Sequence, residues 1–137
     1  MLMFLRDWGL VCAYATLIFS MSSLSHPEES LPGFVFNLSD KVVHGIEYAV
    51  LGMLCYRALR GGSVVSWRQH AIPMAILLAS LYGASDEIHQ SFVPFRDSSW
   101  LDWVADTIGA AVGVLAIHRA VNFRPANSIS DAWRQPD

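Results

Sequence analysis

Four apolar runs fill this chain, Trp8 to Leu24, Val42 to Leu59, Ala71 to Ser85 and Leu101 to His118, and they leave little else to build with. Each runs about 15–18 residues, just short of the roughly 20 residues of helix that a bilayer core requires. Each must therefore borrow flanking residues, and the third continues toward Gln90. With 53% hydrophobic and 15% charged residues in 137, the chain carries more apolar surface than one small soluble core can hide. The expectation is an all-α integral membrane four-helix bundle with short loops, multi-pass in the inner (plasma) membrane. Residues 1–121 form its one transmembrane domain, with helices at about 8–24, 42–59, 71–90 and 101–118, and residues 122–137 form a polar cytoplasmic tail.

The first run has a basic residue before it and small residues after it, as a signal peptide would. Asp7 in the charged region, and the absence of a clean A-x-A site, favour a retained helix instead. Orientation follows from the basic residues. Arg6 precedes the first run, Arg57, Arg60 and Arg68 surround the second connection, and Arg119, Arg124 and Arg134 follow the fourth run. Only Lys41 and Arg96 lie elsewhere, so the positive-inside rule predicts both termini inside and the first and third connections outside. The net charge of −3 argues against nucleic acid as a partner. Cys12 and Cys55 both fall in apolar runs and read as buried thiols, with neither a disulfide framework nor a zinc knuckle.

This topology gathers polar residues at one membrane face. The second helix starts there with Asp40, Lys41, His44, Glu47 and Tyr48; the third ends there with Tyr82, Asp86, Glu87, His89 and Gln90; the fourth starts there with Asp102 and Asp106. Helical spacing places Asp40, His44, Glu47 and Leu51 on one face, Tyr82, Asp86, His89 and Val93 on a second, and Asp102, Asp106, Gly109 and Gly113 on a third. A charged side chain at membrane depth costs about 2.5–3.5 kcal/mol on insertion scales, so these stripes should turn inward and pair or line a wet cavity. Plainer readings stand beside this one. His44 and Glu47 suit a satisfied i, i+3 pair; Asp86, Glu87 and Asp102 suit the aqueous interface; and Arg96 suits a structural counter-charge as well as a bidentate phosphate or carboxylate contact. Gly109 and Gly113 read as helix packing, and Trp67, Trp100 and Trp103 as interfacial anchors.

The motifs Asp40-Lys41-x-x-His44-x-x-x-Tyr48-x-x-Leu51-Gly52, Ser85-Asp86-Glu87-x-x-Gln90-x-Phe92-x-Pro94-x-Arg96 and Asp102-x-x-x-Asp106-x-x-Gly109-x-x-x-Gly113 resemble the VanZ-like family in order and spacing. Many of its members carry Asn where this chain has Asp106. The resemblance implies a small bacterial integral membrane protein, related to one associated with low-level teicoplanin resistance, with no settled biochemical activity. By residue match its signature positions are Asp40, Lys41, His44, Tyr48, Asp86, Glu87, Gln90, Arg96 and Asp102.

The polar face predicts an extracytoplasmic pocket that takes a membrane lipid headgroup or a lipid-linked cell-envelope precursor. On an enzymatic reading, His44 is the general base, Glu47, Asp86 and Glu87 are its acid partners, and Asp40, Lys41, Tyr48, Gln90, Arg96, Asp102 and Asp106 bind substrate. The same residues serve a non-catalytic binder or assembly factor equally well, so enzyme status stays open. No cofactor and no metal ligand is assigned. A carboxylate/His metal site remains a further alternative, through His44-x-x-Glu47 and Asp86-x-x-His89 completed by Asp102 or Asp106. Self-association into a homo-oligomer is also left open.

Overall fold

The structure is a computed structural model and describes residues 2–25, 40–96 and 98–122. Among the described residues the elements are all helices, with no strand: α1 Leu2–Ser22, α2 Asp40–Gly61, α3 Val65–Gln69, α4 Ala71–Gln90 and α5 Trp100–Asn122. Three of them, α2, α4 and α5, are long and apolar enough to cross a membrane. At 1.5 Å per residue the 20 residues of α4 extend about 30 Å, the thickness of a hydrocarbon core. The expected tail lies almost wholly outside the described residues, as does most of the first connection.

The helices α2, α4 and α5 exceed the apolar runs because polar residues at their ends remain helical. On α1 the helix instead begins upstream at Leu2 and stops at Ser22, short of the run's end, where Leu24 N–H donates to Met21 O at 3.1 Å and closes a tight final turn. Pro73 is accommodated in the first turn of α4, where a backbone N–H has no helical partner to lose. Among the described residues, the element without a counterpart in the apolar runs is α3, a five-residue helix in the second connection with no buried residue.

Side-chain contacts fix the directions. Asp7 near the start of α1 meets Arg57 near the end of α2. His44 and Tyr56 of α2 pair in the same order with Asp106 and His118 of α5, so α2 and α5 run parallel. Ser22 of α1 reaches Asp86 of α4, and Tyr82 reaches back to Ala15, so these two run parallel as well. Ser80 meets Thr107 across an antiparallel α4–α5 seam.

The parallel pair packs through small residues. A Cβ on Gly109 would overlap the Gly45 carbonyl, and one on Gly113 would overlap that of Ala49, while one on Gly52 would come within 2.8 Å of Ala110 O. Gly109 and Gly113 thus act as the packing pair their spacing suggests, against a second small-residue row that includes Gly45. Beside this seam lies a buried core of Tyr48, Leu51, Cys55, Tyr56, Leu59, Ala71, Ala75, Ala79, Ala110 and Val114. Cys55 is buried as expected, but Cys12 is exposed, because it falls on the face of α1 turned away from the bundle. An apolar run marks a helix as membrane-compatible without distinguishing its inner face from its lipid face.

Candidate functional site

The polar ends of α1, α2, α4 and α5 meet around Asp106. His44 Nδ1 and Asp106 Oδ1 lie 3.0 Å apart, with His44 6% exposed and Asp106 fully buried. Next to them, α4 has no side chain at position 83. A Cβ there would come within 2.9 Å of Asp106 Oδ2 and 3.2 Å of Tyr48 Cε1, so the glycine makes room for both. Tyr48 and Tyr82 approach at a ring separation of 6.3 Å.

A second network surrounds Asp86. Ser22 Oγ donates to Asp86 Oδ2 at 2.7 Å, and Gln90 Nε2 donates to the same oxygen at 3.0 Å. Glu87, one residue on, accepts the backbone N–H of Ser99 through Oε2 at 2.8 Å, which ties the third connection to the end of α4. Lys41 and Asp102 form an ion pair of 2.7 Å between the first turns of α2 and α5.

These networks leave polar atoms over. Tyr48 OH, Asp86 Oδ1, Glu87 Oε1, Asp106 Oδ2 and Arg96 Nε are all buried with no hydrogen-bond partner within the protein. An unmet polar group of this kind costs about 1–3 kcal/mol in a protein interior. With His89 Nδ1, six such atoms gather at one end of the described helices, which makes that end the candidate site.

Apart from Lys41, which is exposed, the expected site residues fall into three groups. His44, Tyr48, Asp86, Glu87, Gln90, Asp102 and Asp106 are all buried at this end. Glu47 and Arg96 are half-buried and lie within electrostatic reach of one another. Asp40 begins α2, and its side chain lies outside the described residues. His44 bonds to Asp106 across two helices, and exposed Lys41 pairs with Asp102 across the same two.

Tyr82, Asp86 and His89 of the expected α4 stripe share one side of the helix, the side that meets α1: Tyr82 OH donates to Ala15 O, Asp86 accepts from Ser22, and His89 stacks on Phe19 at 4.4 Å. The fully buried row beside it is Ala79, Gly83, Asp86, Glu87 and Gln90. Val93 lies beyond the helix, in turns that run through Arg96 N–H to Val93 O at 3.3 Å. Phe95 has φ 64°, a left-handed conformation that a bulky residue adopts only under constraint, and it immediately precedes Arg96. Among the described residues, the His/carboxylate group close enough to share one ion is His44, Glu87 and Asp106, so the structure takes one residue, at most, from each i, i+3 pair of the metal alternative.

Ser22 and Ser99 belong to the site although no motif pointed to them. Both are small hydroxyl residues at element ends, and only the fold brings them to Asp86 and Glu87. Ser22→Ala should lower stability by about 1 kcal/mol, the net worth of one hydrogen bond, since Gln90 still donates to Asp86. Chemical unfolding in detergent measures this, and an unchanged midpoint would show that α1 is not coupled to the site.

The opposite end of the molecule is different in kind. A cavity of about 660 Å³ opens there between α1, α2 and α5, with Arg6, Asp7, Arg57 and Arg60 over apolar Leu10 and Ile117. Asp7 bridges Arg6 at 3.1 Å and Arg57 at 3.2 Å. Acids gather at one end of the helices and most of the arginines at the other.

Membrane-length apolar helices with a buried polar cluster at one end define a small helical membrane protein. The sequence profile of the VanZ/LLP1 family matches residues 4–132, nearly the whole chain, and the chain belongs to that family. No match was found among curated proteins or among solved structures.

Proposed function

We propose that this VanZ/LLP1-family protein spans the plasma membrane four times, with both termini inside, and uses the cluster around Asp106 as an extracytoplasmic pocket. Its ligand is the phosphate-bearing headgroup of a phospholipid or lipid-linked cell-envelope precursor. Through its family the protein is connected with resistance to glycopeptides such as teicoplanin. The observation that carries the reading is the set of unpartnered buried atoms contributed by α2, α4, α5 and the third connection. Arg96 is the group for the phosphate, because it is half-buried in the third connection within electrostatic reach of Glu47, and its Nε has no hydrogen-bond partner within the protein. Exposed Phe92, Phe95 and Trp100 flank it and suit the headgroup layer, where the lipid would enter.

Arg96→Gln should reduce retention of a phosphate-bearing lipid by at least about tenfold, the loss of one strong charge-assisted contact, with little change in stability. Mass spectrometry of gently extracted protein reads both forms, and equal retention would remove the role of Arg96.

Orientation has its own test. In a Cys12→Ser, Cys55→Ser background, Phe92→Cys should react with a membrane-impermeant thiol reagent in intact cells, and Trp67→Cys only after the cells are opened. The reverse pattern would invert the assignment.

A second reading, in which the protein also modifies the headgroup, draws on the His44–Asp106 hydrogen bond, which orients an imidazole as general-base chemistry requires. Turnover of a lipid-linked substrate that persists in His44→Gln would remove it.

A further inference from the structure

We propose that His44, Glu87 and Asp106 hold one divalent transition-metal cation, of the Zn2+ or Mn2+ type, at the centre of the cluster. The three residues come from α2, α4 and α5, all are buried, and each offers a ligand atom within 4.8 Å of the others. That spacing brings them around a single ion at metal–ligand distances of about 2.0–2.2 Å with small side-chain adjustments.

Two of the unpartnered atoms belong to these ligands. Glu87 gives Oε2 to the Ser99 amide and keeps Oε1 unmet; Asp106 gives Oδ1 to His44 and keeps Oδ2 unmet. An independent observation comes from outside the acids. Tyr48 OH is fully buried with no partner, and its ring edge and Asp106 Oδ2 flank the same point above Gly83. A water bound to the ion would give this hydroxyl a partner, as metal sites with open positions commonly do.

Charge and ligand type point the same way. Two carboxylates buried side by side repel, and a doubly charged cation balances them where a single lysine would balance one. One imidazole with two carboxylates suits first-row divalent ions, whereas an all-oxygen set would suit magnesium or calcium. The set differs from the pairs that helical spacing suggested, because it takes one ligand from each of three helices and at most one from each i, i+3 pair.

The ion goes beyond the headgroup reading and stands without it, although a phosphate oxygen is a natural further ligand. The test uses the full-length protein in detergent, stripped with a chelator and dialysed against ZnCl2 or MnCl2 alone, with bound metal measured by elemental analysis. Wild type is expected to take up one ion per chain. Asp106→Asn and Glu87→Gln should each weaken binding at least about tenfold, while Asp7→Asn, at a carboxylate paired with Arg57 at the opposite end of the helices, should stay within about twofold. His44→Gln replaces either variant that fails to fold by circular dichroism. No stoichiometric uptake by wild type, or equal weakening in all the variants, would overturn the site. Lipid retention measured on the same metal-free and metal-loaded samples separates the two proposals: metal without lipid removes the headgroup reading alone, and lipid without metal removes the ion alone.

Discussion

Gly109→Leu should abolish folding, and Gly109→Ala should cost about 3 kcal/mol, the upper end of ordinary overpacking. The reason is the nature of the neighbour. A Cβ at position 109 would overlap the Gly45 carbonyl and come within 2.7 Å of Gly45 Cα, so no side-chain rotation relieves the clash. The two helices would have to separate along their whole seam, including the contact of Gly113 with Ala49. Separation also pulls His44 from Asp106 and Lys41 from Asp102, since both pairs bridge the same two helices. Gly9→Ala, where nothing lies within 4 Å of the added carbon, is the control and should be neutral. Detergent unfolding of the extracted protein measures both. A Gly109→Ala protein as stable as wild type would mean that α2 and α5 do not meet this closely.

Asp106→Asn should have the opposite effect on stability and a large effect on binding. A residue whose only task is packing would lose about 1–3 kcal/mol when its hydrogen bonding is altered in the interior. Asp106 sits among Asp86, Glu87 and Asp102, all buried, so removing one charge relieves repulsion, and the amide still reaches His44. The melting temperature is therefore expected to stay unchanged or rise by a few degrees, while lipid or metal retention falls at least about tenfold. This trade, stability gained as binding is lost, is the mark of a group kept for a ligand. Loss of stability together with full retention would show that Asp106 is structural.

Much of the site was legible because helical spacing and a one-sided charge pattern are strong constraints in a membrane. His44, Asp86, Glu87, Asp102 and Asp106 are expected together and are buried at one end. The partners were not legible. Spacing assigns a residue to a face but leaves undetermined which neighbour that face meets, so the Tyr82, Asp86 and His89 side of α4 meets α1 while Glu87 reaches the third connection. Ala71, Ala75, Ala79 and Gly83 form the buried row of α4, and Asp86, Glu87 and Gln90 complete it at the polar end. Likewise nothing local marks Ser22 or Ser99 as ligands for carboxylates. The bond between Asp7 and Arg57 shows the same limit, since a charge read as unusual near the start of α1 is held by a residue about fifty positions away.

The most direct test of the central claim is native mass spectrometry of the gently extracted wild-type protein beside a His44→Ala, Asp86→Asn double variant. The pocket reading expects wild type to carry a phosphate-bearing lipid that the folded double variant has lost. The same lipid carried equally by both proteins would place it elsewhere on the helices and contradict a pocket around Asp106.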